Sequence, residues 1–222
     1  MWIKICGIRT LASAKAIGQL PIQAIGLNFY NRSKRYVTPN IAQSIVTAIP
    51  SQVVPVGLFV NHSLSEILDH TQAVGLRTIQ LHGDESPELI ARLSDEYGFS
   101  IIRALRPDPS AGGFESVEQH LAEVKQLGGS IDRLLVDAAV AGEFGGTGHQ
   151  ADWKLLAEWL KTCPEKRPPV VLAGGLNADN VHEGILATGC DGVDVASGVE
   201  DDLKQTDPER ARQFVQQAQR PL

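Results

Sequence analysis

Two side chains that could exchange protons end short apolar runs. Cys6 ends the run WIKIC, and Asp137 ends the run RLLVD. A thiolate can act as a general base, and a carboxyl group that burial keeps protonated can act as a general acid. Each residue also has a simpler interpretation, since Cys6 could be a small core residue and Asp137 a cap or turn residue.

Three glycine-containing stretches late in the chain could bind an anion. They are EFGGTGHQ at 143–150, LAGGLNADNV at 172–181 and ASGVE at 196–200. Glycine lets backbone N–H groups approach a phosphate closely, and a helix N-terminus adds partial positive charge. One such loop alone is more often a turn, but three together predict a phosphate site. Its candidate residues are Gly146, Thr147, Gly148, Gly174, Gly175, Ser197 and Gly198.

The segment YNRSKRYVTP at 30–39 is rich in cations, although the formal net charge of the chain is −6. A solvated basic loop is the ordinary interpretation of Arg32, Lys34 and Arg35. At the mouth of an active site, such a cluster could instead bind a substrate carboxylate, for which the guanidinium fork is well shaped.

Short apolar runs alternate with stretches of helical spacing along the chain. The runs lie at 2–8, 24–29, 53–60, 78–83, 100–106, 133–138, 169–175 and 192–198. The helical stretches include 10–20, 62–75, 86–98, 115–129, 177–189 and 207–219, and several begin at Ser, Thr or Asn and end at Gly. This alternation predicts parallel strands joined by helices. We therefore expect an α/β fold, a single-domain (β/α)₈ TIM barrel over residues 1–222.

Side-chain alternation within the strands separates an apolar face from a polar one. The polar face collects Lys4, Cys6, Gln80, His82, Arg133, Asp137 and Asp194. Alternate residues of a barrel strand face the interior, where polar groups are costly unless they pair or bind a ligand. Since barrels carry their active sites at the C-terminal strand ends, we expect Cys6, His82 and Asp137 to meet there. Lys4 and Asp194 should support them from below, with Asp194 mainly a buried structural acid.

The composition excludes several classes of function. Hydrophobic residues make up 43% and charged residues 21% of the chain, as in ordinary globular proteins. The acidic balance disfavours nucleic-acid and membrane binding, so we expect a small-molecule partner. Three cysteines without paired spacing predict neither a disulfide nor a metal site. With no signal peptide or membrane span evident, we expect a cytoplasmic protein.

The motifs, taken in order, resemble those of the phosphoribosylanthranilate isomerase family over nearly the whole chain. They are KICGI, SKRYVT, QLHGDE, LLVDA followed by GGTG, LAGGLNADNV and GVDVASGVE. The resemblance implies an Amadori rearrangement in tryptophan biosynthesis, without a metal or organic cofactor, on a phosphorylated substrate. It also implies that Cys6 is the general base, Asp137 the general acid and Arg35 the ligand of the anthranilate carboxylate.

Other functions stay open at the level of sequence. A histidine-pathway aminoaldose isomerase would carry an aspartate in place of Cys6, and indole-3-glycerol-phosphate synthase would need a Lys and Glu array. A non-catalytic barrel that binds a phosphorylated ligand would not need Cys6 and Asp137. We expect a monomer, with a homodimer as the alternative. The stretch 138–144 and Asn28, where an apolar residue is expected, depart from the family pattern.

Overall fold

The computed structural model describes residues 1–107, 113–137, 153–163 and 167–221. Eight parallel strands form a closed barrel in sequence order, which confirms the predicted fold. The strands are β1 Trp2–Cys6, β2 Ala24–Asn28, β3 Val54–Phe59, β4 Thr78–Leu81, β5 Ser100–Leu105, β6 Arg133–Val136, β7 Val170–Leu172 and β8 Gly192–Val195. The barrel closes where β8 pairs with β1 and sets Asp194 beside Lys4.

Helices link the strands and surround the barrel. Those in the described ranges are α1 Leu11–Ile17, α2 Pro39–Ala48, α3 Leu64–Val74, α4 Pro87–Ala91, α5 Phe114–Gln126, α6 Trp153–Thr162, α7 Val181–Thr188 and α8 Pro208–Ala218. The stretch 86–98 was predicted as one helix, and α4 indeed continues as a π-helical turn at Arg92–Glu96. None of these described helices is long and apolar enough to cross a bilayer.

Local capping explains where several helices begin. Thr10, Ser63 and Ser86 each accept a hydrogen bond from a backbone N–H of the first turn that follows. At the start of α3, the Glu66 carboxylate accepts a hydrogen bond from the backbone N–H of Ser63 and completes a capping box. Gly75 ends the same helix with φ 81°, a left-handed conformation that favours glycine. These capping signals could be identified from the sequence because they act over three or four residues.

The apolar residues form an outer layer, as strand alternation predicted, and a smaller inner cluster that was not predicted. Ile3 and Ile5 pack between the barrel and its helices, together with most of the core. A smaller cluster inside the barrel includes Val56, Leu135 and Val171. This inner cluster fills the lower part of the barrel, so that the polar residues of the strands occupy the part nearest the C-terminal ends.

The predicted strand runs extend past the observed strands into the loops. The run at 169–175, for example, corresponds to the strand Val170–Leu172. Gly174 and Gly175 have φ of 85° and 67°, which extended backbone does not adopt. The chain therefore leaves the sheet at the level where the loops begin to surround the pocket.

A buried ion pair holds the loop that follows β4. Arg103 of β5 donates to the Glu85 carboxylate at 2.7 Å and to the carbonyl oxygens of Leu81 and Gly83. Glu85 also accepts hydrogen bonds from the backbone N–H groups of Asn61 and Gly83. Both charged side chains are buried. The loop that carries His82 is thus fixed by Arg103 and Glu85, whose buried charges compensate each other.

Removal of Glu85 should therefore destabilise the fold strongly. We expect Glu85→Ala to lower the free energy of unfolding by about 3–5 kcal/mol, because Arg103 would become an uncompensated buried charge. The matched control is Glu96→Ala, whose partner Arg92 and own side chain are each 51% exposed. That control should cost less than about 1 kcal/mol. Urea unfolding would measure both, and equal losses would contradict the assignment.

Candidate active site

A pocket opens at the C-terminal end of the barrel and contains most of the predicted site. Its volume is about 660 Å³ including the open mouth. The predicted residues that line it are Cys6, Arg35, His82, Asp137, Gly174, Gly175, Asp194 and Ser197. Among the described residues, no cluster of His, Cys, Asp and Glu is arranged to hold a metal ion.

Cys6 is the last residue of β1 and points into the barrel beside Gly26 of β2. A Cβ atom at Gly26 would lie 2.5 Å from the Cys6 sulfur, so any side chain there would displace the thiol. Gly26 was not identified from the sequence as part of the site. A glycine inside a strand often marks a place where another group lies close to the backbone, and that signal was available.

Lys4 lies one layer below Cys6 and has no exposed surface. Its ammonium donates to the Asp194 carboxylate at 2.7 Å and lies near the Cys6 side chain. Burial would lower the pKa of Lys4, but its interactions with Asp194 and Cys6 outweigh burial and raise the pKa above its ordinary value. Lys4 is therefore a cation at neutral pH and links the buried acid to the thiol.

Burial raises the pKa of the Cys6 thiol, and the nearby Asp194 charge adds to the rise. Lys4 and Arg35 oppose it without reversing it. Consequently Cys6 is a thiol in the unliganded protein at neutral pH. Additional positive charge in the pocket would favour the thiolate at neutral pH.

His82 and Asp137 face each other from the ends of β4 and β6. His82 Nε2 lies 3.2 Å from Asp137 Oδ2, and both side chains are more than nine-tenths buried. The Gln80 amide nitrogen lies 3.1 Å from His82 Nδ1. When Gln80 donates this bond, the ring proton of neutral His82 is on Nε2, the ring nitrogen that lies nearer the carboxylate. Gln80 was recognised only as an inward-facing residue, and its role in holding the ring required the structure.

A chain of hydrogen bonds shapes the cationic loop after β2. Asn28 accepts from the backbone N–H of Tyr30 and donates to the Ser33 hydroxyl. Ser33 in turn accepts from the backbone N–H of Arg35. Asn28 is therefore polar because it organises the loop, which explains why an apolar residue is absent from this end of β2.

The Arg35 side chain enters the pocket over Gly7. Gly7 has φ 86°, and a Cβ atom there would lie 2.6 Å from Arg35 Cδ. The guanidinium forms a buried ion pair with Glu200, through Nε to Oε1 at 2.5 Å and Nη2 to Oε2 at 3.0 Å. Glu200 belongs to the stretch ASGVE, but nothing in the sequence linked it to Arg35.

The described glycine residues play different parts near the pocket. Gly174, Gly175 and Ser197 line it, as expected for groups that could bind phosphate. Gly198 is not among the lining residues. A Cβ atom there would lie 1.9 Å from the Leu176 carbonyl oxygen, so this glycine lets two loops pack closely. Gly146, Thr147 and Gly148, like the stretch 138–144, lie outside the described residues.

Comparisons with known proteins agree with these motifs. The family model for N-(5'-phosphoribosyl)anthranilate (PRA) isomerase matches residues 3–217. N-(5'-phosphoribosyl)anthranilate isomerase of Gloeothece citriformis is 37% identical over 99% of this chain and 94% of its own. The Myxococcus xanthus protein of the same name is 38% identical over 97% of this chain and 95% of its own.

Solved structures are similar over almost the same length. Phosphoribosyl anthranilate isomerase from Thermotoga maritima is 30% identical, with a TM-score of 0.82 and 98% of both chains covered. A phosphoribosyl anthranilate isomerase in complex with reduced 1-(o-carboxyphenylamino)-1-deoxyribulose 5-phosphate has a TM-score of 0.79, 30% identity and 98% coverage of both chains.

The electrostatics of Cys6 predict how the thiol titrates in the unliganded protein. Alkylation of Cys6 by iodoacetamide should show a midpoint above the ordinary thiol pKa of about 8.5. Lys4→Met should move the midpoint further up, because Lys4 lowers the pKa of Cys6 more than Asp194 raises it. Site-resolved mass spectrometry from pH 6 to 10 would follow the reaction.

Lys15→Met, which removes an exposed lysine of α1, provides the control and should leave the midpoint unchanged. A midpoint below the ordinary value would show that burial does not dominate the pKa of Cys6, and a midpoint insensitive to Lys4→Met would show that Lys4 does not act on the thiol.

Proposed function

Because the chain belongs to the N-(5'-phosphoribosyl)anthranilate isomerase family, we propose that Cys6 and Asp137 are the general base and general acid of its reaction. The protein is an isomerase of tryptophan biosynthesis. It converts N-(5'-phosphoribosyl)anthranilate to 1-(o-carboxyphenylamino)-1-deoxyribulose 5-phosphate. This membership replaces the alternatives of a histidine-pathway isomerase and a non-catalytic barrel.

One observation carries the assignment of roles. Cys6 and Asp137 line the same pocket from strands that are three positions apart around the barrel. A sugar ring placed between them would present different atoms to the two groups. An acid and a base on separate sides can therefore act on the ring oxygen and on a ring carbon of one bound substrate.

The first step opens the furanose ring. Asp137, in its protonated form, donates to the ring oxygen as the bond from that oxygen to C1′ breaks. The nitrogen lone pair forms a double bond to C1′, which leaves a cationic iminium. His82 Nε2, 3.2 Å from Asp137 Oδ2, favours the carboxylate that this transfer produces.

The second step removes the proton from C2′. The iminium makes that proton acidic, and the Cys6 thiolate accepts it while the C–H electrons form the C1′–C2′ double bond of an enolamine. C1′ then takes up a proton from the Cys6 thiol while the C2′ hydroxyl releases its proton to solvent, and the enolamine becomes the ketone. The positive charges of the iminium and Lys4 both favour the thiolate over the thiol. The substrate thus activates the base that acts on it.

Binding of the two anionic ends of the substrate completes the proposal. Arg35 receives the anthranilate carboxylate, and the phosphate lies among residues 146–148, Gly174 and Gly175, and the turn at Ser197 and Gly198. A structural relative was solved with an analogue that carries both a carboxylate and a phosphate, which supports a site for two anionic groups. The barrel over residues 1–222 serves as one catalytic domain.

Cellular location and assembly are further parts of the proposal. We place the reaction in the cytoplasm, where a biosynthetic enzyme without disulfides is expected. We favour a monomer, with a homodimer as the alternative. A relative from Thermotoga maritima, 28% identical with a TM-score of 0.81, is described as monomers made from a dimeric enzyme, which shows that the fold occurs in both states.

Loss of the acid should abolish most of the activity. Asp137→Asn should reduce kcat by about 10²–10⁴-fold, the usual contribution of a positioned acid or base. The decrease in anthranilate-type fluorescence during turnover measures the rate. The control is Cys163→Ser. Cys163 directly follows α6 and does not line the pocket, so this variant should retain wild-type activity. An Asp137→Asn protein within about threefold of the wild type would contradict the assignment.

The role of Cys6 predicts a change in the pH dependence of kcat. In the wild type, the acidic limb should reflect loss of the thiolate as pH falls. Cys6→Ser should lose that limb together with most of its rate, because a hydroxyl does not ionise in the accessible range. Matching pH profiles for the two proteins, measured by the same fluorescence decrease, would overturn activation of Cys6 by the substrate.

A further inference from the structure

Glu200 engages Arg35 through both of its carboxylate oxygens. The bonds run from Nε to Oε1 at 2.5 Å and from Nη2 to Oε2 at 3.0 Å. Arg35 is 6% exposed and Glu200 4% exposed. Two parallel charge-assisted bonds define the plane and the rotation of a guanidinium, whereas a single bond does not. The direction of the Arg35 side chain is therefore set before any ligand enters.

Glu200 is itself held by its own loop and by α8. Its backbone N–H donates to the Ser197 carbonyl oxygen at 3.2 Å, and its own carbonyl oxygen accepts from Arg210 of α8. A bridge to Thr206 holds the same segment from its other side. The carboxylate thus belongs to the segment that follows β8, while Arg35 belongs to the loop after β2.

The bonds to Glu200 occupy one edge of the guanidinium and leave another. Glu200 takes Nε–H and one N–H of Nη2. The opposite edge carries the N–H groups of Nη1 and the second N–H of Nη2, and the described residues provide no hydrogen-bond acceptor for Nη1. The N–H groups of this free edge are spaced so that they can donate two parallel hydrogen bonds to a second carboxylate. Arg35 lines the pocket that also contains Cys6 and Asp137.

We infer that Glu200 is a positioning residue: it holds the Nε edge of Arg35 so that the Nη1 and Nη2 edge receives the substrate carboxylate end-on. The inference rests on the proposed function, which assigns the anthranilate carboxylate to Arg35. It adds that recognition of that group depends on an acid in the segment that follows β8. Preorganisation of this kind lowers the entropy lost when the substrate binds.

A simple counter-ion would behave in the opposite way. If Glu200 only neutralised Arg35, its removal would leave the substrate carboxylate as the main partner of a buried cation, and substrate would bind more tightly. If Glu200 positions Arg35, its removal lets the guanidinium turn away and substrate binds more weakly. The sign of the change in KM therefore separates the two roles.

The first test is Glu200→Gln, which keeps the size of the side chain. Its amide oxygen can accept from Nε, but its NH₂ group would meet the Nη2 donor, so the paired bonds are lost. We expect KM for phosphoribosylanthranilate to rise about 10- to 100-fold, the range for a hydrogen bond to a charged group. We expect kcat to stay within about threefold of the wild type, since the acid and base are unchanged.

A substrate that lacks the carboxylate provides the second measurement. With N-(5'-phosphoribosyl)aniline, Glu200→Gln and the wild type should have the same kcat/KM, because Arg35 has no group to bind. A general structural defect would lower kcat/KM for both substrates. Asp202→Asn makes the same acid-to-amide change at an exposed position in the following turn and should alter neither substrate's kinetics.

Two further variants make each failure distinguishable. Arg35→Met should abolish the preference for the carboxylated substrate; if it does not, the proposed role of Arg35 is wrong. Suppose instead that Arg35→Met abolishes the preference for the carboxylated substrate. If Glu200→Gln then lowers KM for phosphoribosylanthranilate, or leaves that KM unchanged, the positioning role is overturned. Should Glu200→Gln fail to fold, Glu200→Asp keeps the charge but shortens the reach. That variant should raise KM for the carboxylated substrate alone, and wild-type kinetics would overturn the inference.

Discussion

The buried pair of Lys4 and Asp194 is the constraint around which the barrel and its site are arranged. The lysine has no exposed surface, and the 2.7 Å contact to Asp194 supplies its compensating charge. An uncompensated ammonium at this depth would cost several kcal/mol, on the order of 3–5 from removal of one partner. The two residues are register partners at the β1–β8 closure, so the pairing also links the first strand to the last.

The same requirement for compensation extends through the upper interior. Arg35 is matched by Glu200 and Arg103 by Glu85, while His82 faces Asp137 at 3.2 Å. The two ion pairs join different strands and loops, so each one holds two segments together as well as balancing charge. The ion pairs therefore fix the orientation of the polar side chains in the pocket before the substrate enters.

Strands and loops contribute different functions to this pocket. The strand ends present Cys6 and Asp137, whose positions follow from the closed sheet. The loops supply binding groups, and each depends on a local device: Asn28 and Ser33 for the backbone of Arg35, Gly7 for its side chain. Chemistry thus lies on the rigid part of the fold, while substrate recognition lies on segments that need extra support.

The sequence by itself determined the barrel and its inward polar face, because strand alternation, helix caps and turn glycines act over a few residues, and the order of its motifs identified the family. Cys6, His82 and Asp137 could be placed at one end of the barrel for that reason. Only the tertiary structure decided that Glu200 holds Arg35 across 165 residues of chain and that Gly26 makes room for the thiol. It also decided that Gly198 packs against Leu176. Such contacts depend on how distant segments meet in space, and no local periodicity records which partners they will find.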